Sequence, residues 1–246
     1  MRIFLIGQKG IPAHGGGIER HVEELATRLV REGHEVLAYA RRHYTDSSRT
    51  HVHGVRVVHL PTLHFKHLDA IVHTLLASIH VLFQRADIIH YHAIGPASLL
   101  WIPRLLNPRA TIVFTFHCQD YHHQKWNWFA RTALRIGEAI GCRFAHHVIT
   151  VSKTLTDYAW AAYQVPTTYI PNGAVAEATH ARATARQMNT FGLARQEYVL
   201  AVARLVRHKG IHDLIAAYQT LSTKKKLVIV GDGAFTDDYV RELHTL

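Results

Sequence analysis

Apolar, largely β-branched runs alternate with stretches of helical periodicity along almost the whole chain. The runs predict strands at 2–6 (RIFLI), 35–40 (EVLAYA), 55–60 (VRVVHL), 87–92 (DIIHYH), 111–116 (TIVFTF), 147–151 (HVITV) and 167–170 (TTYI). Several are continuous rather than alternating, which is the pattern of strands covered on both faces. After the first run, Ile18, Val22, Leu25 and Leu29 recur at steps of four, three and four. That spacing predicts an amphipathic helix, which Gly33 terminates. Repeated strand–helix–strand units predict an α/β fold on a doubly wound, Rossmann-like parallel sheet.

The pattern breaks near YIPNGAVAEATHARA, where Pro171-Asn172-Gly173 is a turn signal and the following residues are small and polar. It then restarts with strands at 198–203 and 226–231 and helices at 211–221 and 237–246. We therefore expect a first domain over 1–170 and a second, incomplete Rossmann-like domain over 171–246. Two strands cannot bury both faces of a sheet, so the chain is expected to stop in mid-domain.

Composition narrows the partners. The 246 residues are 48% hydrophobic and 19% charged, and no run approaches the roughly 20 apolar residues of a membrane span. The start, MRIFLIGQKG, is too short an apolar run for a secretory signal, and two cysteines make no disulfide framework. A cytoplasmic protein is expected, either free or held on the inner face of the plasma membrane. The net charge is +10, with +7 in residues 1–170 and +3 in the remainder, which suits anionic partners. There is no arginine-rich run, and Lys224-Lys225-Lys226 reads as a solvated turn, so no nucleic-acid partner is expected.

The segment YHHQKWNWFARTALRIGEAIGCRFA (121–145) mixes basic and aromatic residues at helical spacing. It has two readings. Either it docks on an acidic membrane surface, or Trp126, Phe129 and Ile136, at steps of three and seven, are core. The core reading is the stronger of the two.

Three places could carry chemistry. Gly15, Gly16 and Gly17 open the first helix just after the first strand, where backbone N–H groups and the helix's positive end can face a phosphate or a sugar hydroxyl. The pattern is neither GxxxxGK[ST] nor GxGxxG, which argues against an ordinary ATPase or dinucleotide oxidoreductase. In the second domain, ARLVRHKG sets Arg204 and Lys209 five apart after a strand, so that two cations can converge on one pyrophosphate. Gly231-Asp232-Gly233 forms a similar strand-to-helix turn. His117 ends the strand at 111–116, where a doubly wound sheet places its ligands, and His92 is a weaker candidate of the same kind. Histidines number 22, yet there is no HExxH, no CxxC and no third ligand at metal spacing, so neither metal nor cofactor is expected. The absence of a GxSxG elbow removes support for a hydrolase.

Taken together, GGGIERHVEELA, DIIHYHA, VFTFHCQDY, KWNWFARTALRIGE, ITVSKTLTDYA, YIPNGA, VLAVARLVRHKGIHDLIAAY and LVIVGDG resemble a retaining glycosyltransferase of family 4 with GT-B architecture. They occur in family order over nearly the whole chain. The segments IPAHGGGIERHVEELA and KWNWFARTALRIGE are most similar to the bacterial rhamnosyltransferase-like branch. The resemblance implies metal-independent transfer of a sugar from a nucleoside diphosphate sugar donor, with retention, to a glycan or lipid-linked acceptor. Arg204 and Lys209 would hold the diphosphate and stabilise its departure. Gly16 would lie beside it, His117 would hydrogen-bond the transferring sugar, and Gly231 and Gly233 would admit the nucleotide. Ser152 and Asn172 match motif positions. Two departures stand out. Cys118 replaces the usual glycine after the histidine, and the family's later pair of glutamates, separated by seven residues, has no counterpart in the 13 residues after Gly233. The 246 residues alone are therefore expected to be a C-terminally truncated enzyme with weak or no turnover. The alternatives are a non-catalytic acceptor- or partner-binding module and, last, a sugar-nucleotide epimerase.

Overall fold

The computed structural model describes residues 1–63, 68–122, 126–173, 188–233 and 236–246. The chain divides into two compact units, Met1–Ala174 and Val175–Leu246.

The first unit is an eight-stranded sheet. Its elements run β1 (Arg2–Ile6), α1 (Gly17–Arg31), β2 (Glu35–Arg41), β3 (His51–Val52), β4 (Val55–Leu60), α2 (Leu68–Leu82), β5 (Ile88–His92), α3 (Ile94–Ala97), α4 (Trp101–Leu106), β6 (Thr111–Phe116), α5 (Trp128–Phe144), β7 (His147–Thr150), α6 (Lys153–Tyr163) and β8 (Thr168–Tyr169). The strand order is β3-β4-β2-β1-β5-β6-β7-β8, parallel everywhere except at β3–β4. After β1 the chain moves to β2 on one side and later returns to β5 on the other. The C-terminal ends of β1 and β5 thus border the topological switch point, where open α/β sheets bind their ligands.

Continuous apolar runs produce this layering because both faces of β1 are covered. Phe4 and Ile6 join one core with Ala77 and Val81 of α2 and Ile112, Phe114 and Phe116 of the β6 region. Ile3 and Leu5 join the opposite core with Val22 and Ala26 of α1. Helix α1 ends as its pattern predicts, with Gly33 at φ 84° and the amides of Gly33 and His34 bonded back to the carbonyls of Val30 and Leu29. Strand β3 is absent from the sequence-based expectations. Its hairpin with β4 turns on His53 and Gly54, both at positive φ, and a two-residue X-Gly signal of that kind is easily lost beside so short a strand.

Helix α5 overturns the core reading of the 121–145 segment. Phe129 and Ile136 do share a face, but it is the outer one: they are 74% and 54% exposed, and Trp126 is half-buried. The inward stripe is Gly137, Glu138, Gly141 and Cys142. Periodicity identifies residues that share a face without saying which face is inside. Small residues decide it here, because an added Cβ at Gly137 would overlap the Ile94 carbonyl oxygen of α3. Gly137→Ala should therefore destabilise the protein by about 2 kcal/mol through overpacking. A helix-interior Gly→Ala change ordinarily gains up to about 1 kcal/mol. The sign of the change in a urea unfolding curve decides whether α3 and α5 approach this closely.

The second unit contains two parallel strands, β9 (Tyr198–Val202) and β10 (Lys226–Val230), with helices α7 (Ile211–Gln219) and α8 (Asp237–Thr245). Lys224 and Lys225 are exposed at the approach to β10, whereas Lys226 is the strand's first residue and its Nζ donates to the Gly192 carbonyl at 2.9 Å.

Candidate functional site

In the first unit, three histidines from three elements meet at the carboxyl edge of the sheet. His21 comes from α1, His92 ends β5, and His117 follows β6. His92 Nδ1 and His117 Nε2 are 3.2 Å apart and share a hydrogen bond. The His21 ring lies edge-on to both, with centroids 5.7 Å from His92 and 4.9 Å from His117. The backbone is fitted closely around them. An added Cβ at Gly7, which sits at φ 122°, would overlap the His92 carbonyl oxygen. Ala93, the next residue, holds φ 71°, a region L-residues rarely adopt and one that tends to mark functional sites.

Burial sets the charge of this cluster. His92 is fully buried and its imidazole is held well below its ordinary range, with further depression by His90, His117 and His21. His117 is brought down to about 3, mainly by burial and then by His21. His90, bonded to the Thr115 hydroxyl at 2.7 Å, is also brought to about 3 by burial. His21 is lowered by burial, against a hydrogen bond to the Asn172 side chain that raises it. At neutral pH these rings are uncharged, so His117 can give or take one hydrogen bond without carrying a positive charge. The ligand nitrogens of His21, His92 and His117 lie within 4.8 Å of one another. Neutral imidazoles are the metal-ligating form, so the fold supplies in His21 a third nitrogen that sequence spacing could not identify. No other His, Cys, Asp or Glu among the described residues joins them.

The glycine turn lies at the start of α1 and is exposed. Gly16 is the N-cap at φ 101°, and no side chain caps the helix. Part of the expected anion-facing backbone is already engaged, since the amides of His14 and Gly15 both bond to Tyr44 Oη, at 3.0 and 3.1 Å. The carboxylate of Glu19 sits where a Gly16 Cβ would fall. The Gly16 and Gly17 end of the turn therefore lies beside a carboxylate that sequence analysis did not flag. Ser152 serves as the N-cap of α6, its hydroxyl accepting from the Leu155 amide at 3.2 Å. Asn172 contributes through His21.

In the second unit, Arg204 and Lys209 are exposed on the loop after β9 and, among the described residues, enter no ion pair. Arg207, between them, is committed elsewhere. It pairs with Glu242 and stacks over the Tyr239 ring at 5.1 Å. The Gly231–Gly233 turn lies against the same loop, with Leu205 N bonded to Asp232 O at 2.9 Å and Ala203 N to Val230 O at 3.1 Å. A side chain at Gly231 would overlap the Ala203 carbonyl. Glycine is needed there for the close approach of two backbones. Two unpaired cations thus stand at the carboxyl ends of β9 and β10, next to a glycine turn.

Among the described residues, no helix is long and apolar enough to cross a membrane. Spore coat protein SA of Bacillus subtilis (strain 168) is 27% identical over 270 aligned positions, covering all of this chain and 66% of that protein. Among solved structures, Anabaena HepE in complex with UDP and glucose superposes with a TM-score of 0.70 at 20% identity, over 99% of this chain and 64% of that one. Sucrose-phosphate synthase from Thermosynechococcus elongatus gives 0.68 at 20% identity, over 99% and 68%. The chain thus spans about two thirds of the length of the relatives it matches. These structures share its fold, the α/β architecture of GT-B glycosyltransferases. The sequence profile of Glycosyltransferase Family 4 matches residues 15–177, from the glycine turn through all three clustered histidines to just beyond Asn172, and on that match the chain belongs to Glycosyltransferase Family 4.

Proposed function

We propose that this chain transfers a sugar from a nucleoside diphosphate sugar to a hydroxyl of a glycan or lipid-linked acceptor, with retention of configuration and without a metal ion. An acceptor-side domain over 1–170, a nucleotide-side domain over 171–246 and the rhamnosyltransferase-like branch form part of this proposal. In the reaction, an acceptor oxygen bonds to the anomeric carbon, the bond from that carbon to the diphosphate oxygen breaks, and the hydroxyl proton leaves with the diphosphate or to solvent. Arg204 and Lys209 hold the diphosphate and stabilise the charge it gains. Gly16 with Gly15 and Gly17, and Gly231 with Gly233, let backbone approach the phosphates and nucleotide. His117, oriented by His92, hydrogen-bonds the transferring sugar.

The observation that carries this proposal is the pair of exposed, unpaired cations at Arg204 and Lys209 beside the Gly231–Gly233 turn. HepE is solved with UDP and glucose, which supports a nucleotide-linked donor. Titrating the chain calorimetrically with nucleoside diphosphates of different bases tests it. Saturable one-to-one binding with preference for one base is expected. A chain that binds none of them, while still binding a glycan, would be a non-catalytic module and would overturn the proposal.

A further inference from the structure

Helices α2, α4 and α5 lie on the same face of the first unit's sheet, and α4 packs against both of the others. Their outer surfaces are apolar. On α5, Trp128 and Phe129 are 79% and 74% exposed and Ile136 continues the stripe. Leu105 and Leu106 of α4 and Leu75 and Ile79 of α2 are exposed as well. On α2 the exposed apolar positions 68, 71, 75 and 79 follow steps of three, four and four, a helical stripe turned to solvent. Scattered exposed leucines need no explanation, but apolar stripes on three neighbouring helices do.

The charge on this face has one sign. Arg131, Arg135 and Arg143 are exposed on α5, Arg135 lying over the Tyr121 ring at 5.1 Å and Arg143 over the Tyr163 ring at 5.5 Å, and Arg104 lies on α4 with its Nε bonded to the Phe144 carbonyl at 3.0 Å. The acids of these three helices are Asp69 and Glu138. Asp69 is ion-paired with Arg41 at 2.5 Å. Glu138 is fully buried, and its Oε1 accepts from Tyr158 at 2.7 Å and Tyr163 at 2.6 Å. Among the described residues of these three helices, no exposed acid therefore offsets the arginines. Exposed arginines on the helix that carries an exposed tryptophan and phenylalanine match the interfacial belt of a bilayer, where aliphatic stems lie in the apolar layer and charged heads reach the phosphates.

We propose that the outer face of α2, α4 and α5 docks on an acidic phospholipid surface, with Trp128 and Phe129 inserted and Arg131, Arg135 and Arg143 on the headgroups. A second copy of the chain fits this face less well. A two-fold contact would set each arginine patch against its own image, a like-charge juxtaposition that opposes association. The proposal stands on this surface alone and does not depend on the transferase assignment.

Vesicle co-sedimentation of the full chain tests it, comparing phosphatidylcholine with phosphatidylcholine containing phosphatidylglycerol. Binding to the anionic vesicles is expected to be at least about tenfold stronger and to weaken as salt rises. Arg131→Glu with Arg135→Glu should abolish that preference. Trp128→Ala with Phe129→Ala should reduce binding to the anionic vesicles by about tenfold or more, with an unchanged unfolding curve because both side chains are exposed. Equal binding to neutral vesicles, binding to neither, or binding unaffected by these variants would each overturn the proposal. So would concentration-dependent self-association that the same variants remove, because the occupant would then be a second copy.

Discussion

Lowering the pH from 7 to 5 should strip the first unit of several kcal/mol of stability, before most carboxylates begin to titrate. The cause is a set of imidazoles buried in the neutral state. His73 is brought to about 4, chiefly by burial and then by Arg41, with a hydrogen bond to the Ala40 backbone and then Asp69 acting in the opposite sense. His90 and His117 are brought to about 3 and His92 lies well below its ordinary range. In the unfolded chain each would titrate near 6.5. A depressed histidine leaves the unfolded state binding more protons as the pH falls below 6.5. Its stabilising effect is thus present above 6.5 and is lost progressively down to the folded value, about 4 for His73 and about 3 for His90. The slope approaches about 1.4 kcal/mol per pH unit for each such group. For His90 alone that amounts to about 2 kcal/mol at pH 5, a large part of the 5–15 kcal/mol typical of a domain. Urea unfolding at pH 7, 6 and 5 measures the effect. A midpoint that does not move would mean that these rings are solvated or charged in the folded state.

The same burial explains which features could be read from the sequence. The strand runs from RIFLI through TIVFTF were legible because a parallel sheet covered on both faces needs unbroken apolar, β-branched segments. Gly33 was legible because a left-handed helix terminus selects glycine almost alone. The direction of α5 was not, since Phe129 and Ile136 keep the same period whether they face the core or the solvent. Only the fit of Gly137 against Ile94 settles it. The histidine cluster was half visible. His92 and His117 end adjacent strands and could be named from that alone. His21 could not, because the switch point brings α1 over β5 and β6 across 71 residues of chain. Its one sequence signal was its place in the second turn of the helix that follows the glycines. The engagement of Gly15 by Tyr44 likewise depends on a loop 29 residues away, which no local pattern announces.

Arg204→Ala and Lys209→Ala should each weaken nucleoside diphosphate binding by roughly 10–100-fold, whereas Arg207→Ala should change it by less than about threefold. All three cations fall within six residues, and by charge and spacing alone any of them could meet a phosphate. The fold separates them. Arg207 is held by Glu242 and by the face of Tyr239, so its loss should appear as reduced stability, about 1 kcal/mol for a half-exposed pair with a stacked ring. Arg204 and Lys209 have no ionic partner among the described residues. A phosphate would therefore gain a charge-assisted hydrogen bond to each without breaking another, an interaction worth about 1.5–3 kcal/mol. Replacing both should cost less than the sum, because the two act on one pyrophosphate and the loss of either already leaves it poorly held. Arg204→Lys should recover only part of the loss, since a point charge cannot reproduce a bidentate fork. Calorimetric titration of these five variants against the preferred nucleoside diphosphate measures this. Equal losses from all three single alanine variants would mean that the loop acts only as diffuse positive charge. A loss confined to Arg207→Ala would move the anion site to the face shared with Glu242.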